Sequence, residues 1–307
     1  MKKRPYFSGA LIHCYENSVN GYLLFYSQSD HLVCFSIICV CANRHNIRIV
    51  SLCQMPDHLH LGVVAKSKED LSSFMRDVLA IYSKSDALVC HRKGALFNIH
   101  FGSAPKKDSK AIRTNIIYIG NNPVERKLCV NAAEYRWNYL AYAKSTHPFS
   151  EKLIIRKASW SMKKAIKEVK GEHRRGKPLS YALLQRLFDP LDQKEKRQLV
   201  DFIITTYSVI DYDYAASFFD GYDNMIKAMS YTVGKEYDIK EVNVGRSDAC
   251  YQEITQKLIR ELHLKDIHEI FSMPESFRTD QMLEIHTKTK LDLRQLAKYF
   301  RLKIRFE

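Results

Sequence analysis

Apolar residues along the first part of the chain fall in short runs broken by turn signals. Two of these runs, 47–52 and 59–64, are separated by Pro56-Asp57, and His58 and His60 sit two residues apart at the start of the second. In a strand, side chains two apart leave the same face, so both imidazoles point one way while Leu59 and Leu61 point into a core. Around this hairpin the pattern predicts a strand over 6–16, a turn at Asn20-Gly21, and a helix capped by Ser29 or Asp30 that runs to about Asn43. A second helix opens at Ser67 with Asp70 and carries Leu71, Phe74, Val78 and Tyr82 on one face. A short strand over 96–101 follows, then a loop over 102–107, then a helix over 109–122 stopped by Pro123. This order predicts an α+β, ferredoxin-like (split βαβ) antiparallel sheet with helices on one face and the histidine strand central. Tyr118 and Asn122, one turn apart on the last helix, then look together toward the two histidines.

After Ala143 the pattern changes. Ser145-Thr146-His147-Pro148 reads as a boundary between a domain over 1–144 and an all-helical domain over 145–307. Helices are expected at 152–170, 179–188, 193–208, 212–219, 223–233, 248–262 and 275–300. The first has an apolar stripe at Ile155, Met162, Ile166 and Val169, with lysines and arginines elsewhere on its surface. Asp211, Asp213, Asp220 and Asp223 read as caps and turns. The stretch 279–302 resembles the first part of a helix-turn-helix but lacks room for a recognition helix, so it reads as a packing helix.

Charge points to a partner. The 307 residues carry a formal net charge of +14, which favours a polyanion, nucleic acid before membrane. No uninterrupted apolar run reaches the roughly 20 residues of a bilayer span. The eight cysteines lie mostly in apolar runs without C-x-x-C spacing, as expected of buried, reduced thiols in a soluble cytoplasmic protein. His58 and His60 have the spacing of a two-histidine metal half-site, a spacing that also occurs by chance on a half-exposed sheet face, and Tyr118 with Asn122 makes the constellation more specific than either half.

The stretch Met55-Pro56-Asp57-His58-Leu59-His60, followed by Tyr118-Ile119-Gly120-Asn121-Asn122-Pro123 and by Tyr135-Arg136-Trp137-Asn138, resembles the REP-associated tyrosine transposases, bacterial single-tyrosine members of the HUH superfamily. The resemblance covers about residues 6–143. It implies cleavage and rejoining of single-stranded DNA at hairpin-bearing or palindromic repeats through a 5′-phosphotyrosine. Tyr118 is then the nucleophile, with His58, His60 and Asn122 the ligands of a divalent ion, Mg2+ or Mn2+. A tyrosine ester preserves the bond energy needed for resealing, and an ion that neutralises the phosphate compensates for a hydroxyl with a pKa of about 10. DNA contacts are expected from Lys106, Lys107, Lys110, Arg113, Arg126 and Lys127 near the site, and from Lys163 and Lys167 in the second half, with Lys2, Lys3 and Arg4 also candidates. His13 matches a histidine common in the family's opening motif. The chain departs from the pattern at 16–21, where an arginine and a glycine are usual, and at Asp57, where asparagine is common. The alternative functions are a transposase-derived DNA-binding regulator without catalysis and an unrelated two-histidine metalloprotein acting on a small molecule. Monomer and homodimer are both left open.

Overall fold

The computed structural model describes residues 6–98, 100–231 and 247–303, so Lys2, Lys3 and Arg4 lie outside the described residues. Strands β1 (Leu11–Asn17), β2 (Arg48–Met55), β3 (His58–Val64) and β4 (Gly102–Lys106) form one antiparallel sheet in the order β2-β3-β1-β4. The histidine strand is therefore central, and it is buried almost throughout. Helices α1 (Gln28–Arg44) and α2 (Lys68–Val89) share a core with Leu59, Leu61 and Val63. Helix α3 (Ser109–Glu125) lies over the side from which His58 and His60 project. Helices thus cover both faces, not one as the element order suggested. The second face carries polar side chains that need partners, and α3 supplies them.

Three local departures from the sequence reading have simple causes. The fourth strand is Gly102–Lys106 and not 96–101; Phe97 makes only an isolated bridge to Ser18. Because β4 is an edge, it tolerates Pro105 and needs no apolar run. Gly102 is required there because the Tyr15 ring lies where its side chain would go, and a Cβ would stand 2.1 Å from Tyr15 Cζ. Helix α3 runs through Pro123 to Glu125; the proline gives up one i→i−4 bond, to the Ile119 carbonyl, and the helix ends within a turn of it. Helix α1 is capped by Ser27, whose hydroxyl accepts from Asp30 N while the Asp30 carboxylate accepts from Ser27 N.

The described residues of the second half carry eight α-helices: α4 (Trp160–Arg174), α5 (Tyr181–Phe188), α6 (Gln193–Tyr207), α7 (Tyr212–Ser217), α8 (Tyr222–Tyr231), α9 (Cys250–Glu261), α10 (Glu275–Thr289) and α11 (Leu293–Phe300). The helix expected from 152 begins only at Trp160, with Ser159 as its cap. The helix expected over 275–300 breaks at Lys290, which takes a left-handed conformation, and α11 restarts from the Asp292 cap. Asp211 caps α7 and Asp223 pairs with Lys144.

These helices continue the core of the first half. Val200 and Ile203 of α6 share a cluster with α1, Met225 and Met229 of α8 join Ile116 of α3, and α9 to α11 enclose Leu23 and Tyr26. Two buried ion pairs lock this arrangement. Asp30 accepts from the backbone of Tyr26 and Ser27, from Tyr181 Oη at 2.6 Å, and from His268 Nε2 at 2.9 Å. Arg301 donates to Asp86 Oδ1 at 2.7 Å and to the Leu23 carbonyl. No helix among the described residues is long and apolar enough to cross a membrane. None of the eight cysteines is in a disulfide, and seven are buried.

Candidate active site

The β2–β3 hairpin, the adjacent strand β1 and helix α3 each bring one part of the site. Strand periodicity places His58 and His60 on the α3 face with ring centroids 4.7 Å apart. Register pairs β1 beside β3, so His13 comes next to His60, with its Nε2 3.0 Å from His60 Nδ1. Gly62, the next residue on this face, permits close packing under α3: an added Cβ would lie 2.3 Å from Ser51 Oγ and 3.5 Å from Ile119 Cδ1. From α3, the Tyr118 ring meets His60 edge-on at 5.3 Å and His13 at 5.6 Å. Asn122, one turn further on, places its carboxamide nitrogen 3.1 Å from His60 Nε2. Tyr118, His58, His60 and Asn122, far apart in sequence, are brought together.

Asp57 lies directly behind His58, with Oδ1 2.5 Å from Nδ1. Donation from Nδ1–H puts the lone pair of the neutral ring on Nε2, the nitrogen on the far side from Asp57. Burial alone would raise the Asp57 pKa, but His58 and Lys298 hold it well below the usual carboxylate range. Lys298 of α11 reaches Asp57 Oδ2 at 3.3 Å from 241 residues away. Beside it Arg126 pairs with Asp248 at 3.6 Å, and burial together with the Asp57 charge pushes Asp248 up to about 6. Sequence reasoning noticed Asp57 as a departure but not as the partner of His58; adjacency to a ligand-spaced histidine was the available signal. Nothing in sequence pattern marks Lys298.

The Tyr135-Arg136-Trp137-Asn138 segment supports the hairpin from behind. Tyr135 Oη donates to the Gln54 carbonyl at 2.8 Å, and Tyr139 Oη to Gln54 Oε1 at 2.6 Å. Trp137 stacks on His31 with ring centroids 4.1 Å apart.

The expected DNA contacts separate into two groups. Lys107, Lys110, Arg113 and Lys127 are exposed around β4 and α3, with the Lys107 ammonium over the Phe7 ring. Lys106 is only 8% exposed, because its position on β4 turns it away from the solvent that the sequence reading gave it. Arg126 is also largely covered and directed at Asp248, so it does not offer an open charge. Lys163 and Lys167 are exposed on α4, which packs on α6, which in turn packs on α1.

Among the described residues, no group of three or more His, Cys, Asp or Glu is arranged to hold a metal ion. The donor set is instead two imidazoles and a carboxamide. Neutral imidazoles and an amide oxygen are donor types that suit a divalent ion, and His60 Nε2 stands 3.1 Å from the Asn122 carboxamide nitrogen. Turning that amide presents Oδ1 in place of nitrogen.

Residues 22–121 match the family model of the IS200-like transposases. That stretch is about a third of the chain, and it is similar to this family. The matched stretch holds His58, His60 and Tyr118 and leaves out His13 and Asn122. Among solved structures, the chain is similar to a REP-associated tyrosine transposase bound to a REP hairpin, with 19% identity over 45% of this chain and 80% of that one, and a TM-score of 0.38. No curated protein matches it.

Proposed function

We propose that this protein is a transposase that nicks and rejoins single-stranded DNA, with Tyr118 as the nucleophile. The observation that carries the reading is the meeting of Tyr118 and Asn122 on α3 with His58 and His60 on β3. The Tyr118 oxygen attacks the scissile phosphorus, forming a P–O bond to the ring oxygen and releasing the phenolic proton to solvent. The bond from phosphorus to the 3′ oxygen breaks, and that oxygen takes up a proton to leave as a 3′ hydroxyl. One phosphoester replaces another, so a 3′ hydroxyl can attack the 5′-phosphotyrosine and reseal a strand. His58, His60 and Asn122 would hold Mg2+ or Mn2+, which when bound neutralises the phosphate oxygens. Asp57 fixes the His58 ring through Nδ1, and His13 fixes His60 through the same ring position. Hairpin-bearing repeats are the substrate that the motif resemblance implies.

Incubation with Mn2+ and an end-labelled single strand from inverted repeats flanking the gene should give a protein-linked 5′ product. The burial of the site, with His58 2%, His60 2% and Tyr118 3% exposed, favours a second reading in which the chain binds repeats without cutting them. Metal-independent binding with no covalent product on such a repeat would establish that reading.

The role given to Asp57 has its own measurement. Asp57→Ala should weaken Mn2+ binding about 10–100-fold, the usual loss when the partner of a metal-bound histidine is removed. Asp57→Asn, whose carbonyl oxygen accepts the same proton, should restore most of it. Free Mn2+ followed by electron paramagnetic resonance reports both, and equal affinities for wild type and Asp57→Ala would contradict the assignment.

A further inference from the structure

We infer that the outer face of α4 is a second nucleic-acid contact, in which Trp160 stacks on an unpaired base and the neighbouring lysines hold the strand. Helix α4 buries Met162, Ala165, Ile166 and Val169 against the rest of the protein. Its opposite face is left to solvent. Trp160 is 75% exposed, whereas the other tryptophan, Trp137, is 7% exposed. An exposed indole is a flat face on which an unpaired base can stack. The Lys164 ammonium stands 5.4 Å from the Trp160 ring centre. Lys164, Lys167, Arg174 and Arg175 line a shallow concavity of about 610 Å³ along the helix.

Charge selects the occupant. The two acidic residues of this helix are already engaged, Glu168 with Arg186 at 2.6 Å and Glu172 with Arg175. Among the described residues Lys163, Lys164 and Lys167 have no carboxylate partner. A row of unneutralised cations beside an open aromatic ring fits a phosphate backbone with a free base, the arrangement by which single strands are bound without sequence preference. A duplex hides its base faces and would leave the ring uncovered. Helix α4 packs on α5 and α6, whereas Tyr118 belongs to α3, which packs on β2, β3 and β4. It therefore contacts a part of the strand other than the scissile phosphate, and it does not depend on the cleavage reading.

Trp160 is its own reporter. The full-length protein, without divalent ion so that no cleavage is possible, is titrated with oligothymidine at low salt. Tryptophan emission is followed in parallel with anisotropy of a labelled copy of the oligonucleotide. Binding should quench emission, and Trp160→Ala should abolish the quench and weaken binding about tenfold. Lys164→Gln with Lys167→Gln should lower the slope of log affinity against log salt by about 1.4. The Tyr118→Phe protein should quench as wild type does, so loss of cleavage and loss of this contact are told apart. The inference is overturned if the oligonucleotide fails to bind, or binds with no change in Trp160 emission, or if Trp160→Ala binds as tightly as wild type. It is equally overturned if blunt duplex quenches as well as the single strand, or if only anionic phospholipid vesicles quench.

Discussion

Tyr118→Phe should reduce formation of the protein-linked 5′ product on the order of 10⁴-fold or more, the scale of loss when a nucleophile that acts in a covalent mechanism is removed. The phenylalanine ring can keep the edge contacts that Tyr118 makes with His60 and His13, so the fold and DNA affinity should be nearly unchanged. The comparison separates attack from binding. Product is read as a labelled species that resists denaturant and disappears with protease; affinity is read on the same oligonucleotide by anisotropy. An undiminished adduct in the variant would remove Tyr118 from the mechanism, and the search would move to other tyrosines near the hairpin.

Asp30→Ala should destabilise the protein by about 3 kcal/mol, because it removes the buried carboxylate on His268 Nε2 and leaves only the half-exposed Asp266, on Nδ1, to balance the His268 charge. It also removes the acceptor for Tyr181 and the return half of the α1 capping box. Burial by itself would raise the Asp30 pKa and lower that of His268. Each ion overrides this for the other, so Asp30 is held down to about 2 and His268 is raised to about 10. The sign follows from the ordinary values near 3.9 and 6.5. Asp30 contributes stability above about pH 4 and loses it as the pH falls through about 2. His268 contributes fully below about pH 6.5 and loses its share as the pH rises through about 10. Urea unfolding at a series of pH values should show wild-type stability greatest between about pH 4 and 6.5 from this pair. The decline above that range should be much shallower in Asp30→Ala. Parallel curves for the two proteins would mean that the pair does not govern the pH response.

The chemistry of the site was more legible in the sequence than its setting. His58 and His60 declare themselves through a two-residue period in an apolar strand, and Tyr118 and Asn122 through a four-residue period on a helix; both are local geometry. The edge strand β4 was missed because Gly-Ser-Ala-Pro-Lys carries no apolar alternation, and an edge does not require any. Pro123 was read as a stop because the rule concerns helix interiors, whereas here it sits in the last turn. Helices on both faces were missed because element order says nothing about which side a helix returns to. The partnership of Asp57 with Lys298, and the covering of Lys106 and Arg126, depend on packing between residues distant in sequence.

The reach of the last helices into the first half constrains how this protein can be taken apart. Removing the chain after Ser247 would strip the cover from Leu23 and Tyr26 and strand the carboxylates of Asp30 and Asp86 without His268 and Arg301. A fragment ending near the sequence boundary at 144 would also lose α6 from the side of α1. What would be isolated is an open half-core, so dissection of this molecule calls for point substitutions in the intact chain.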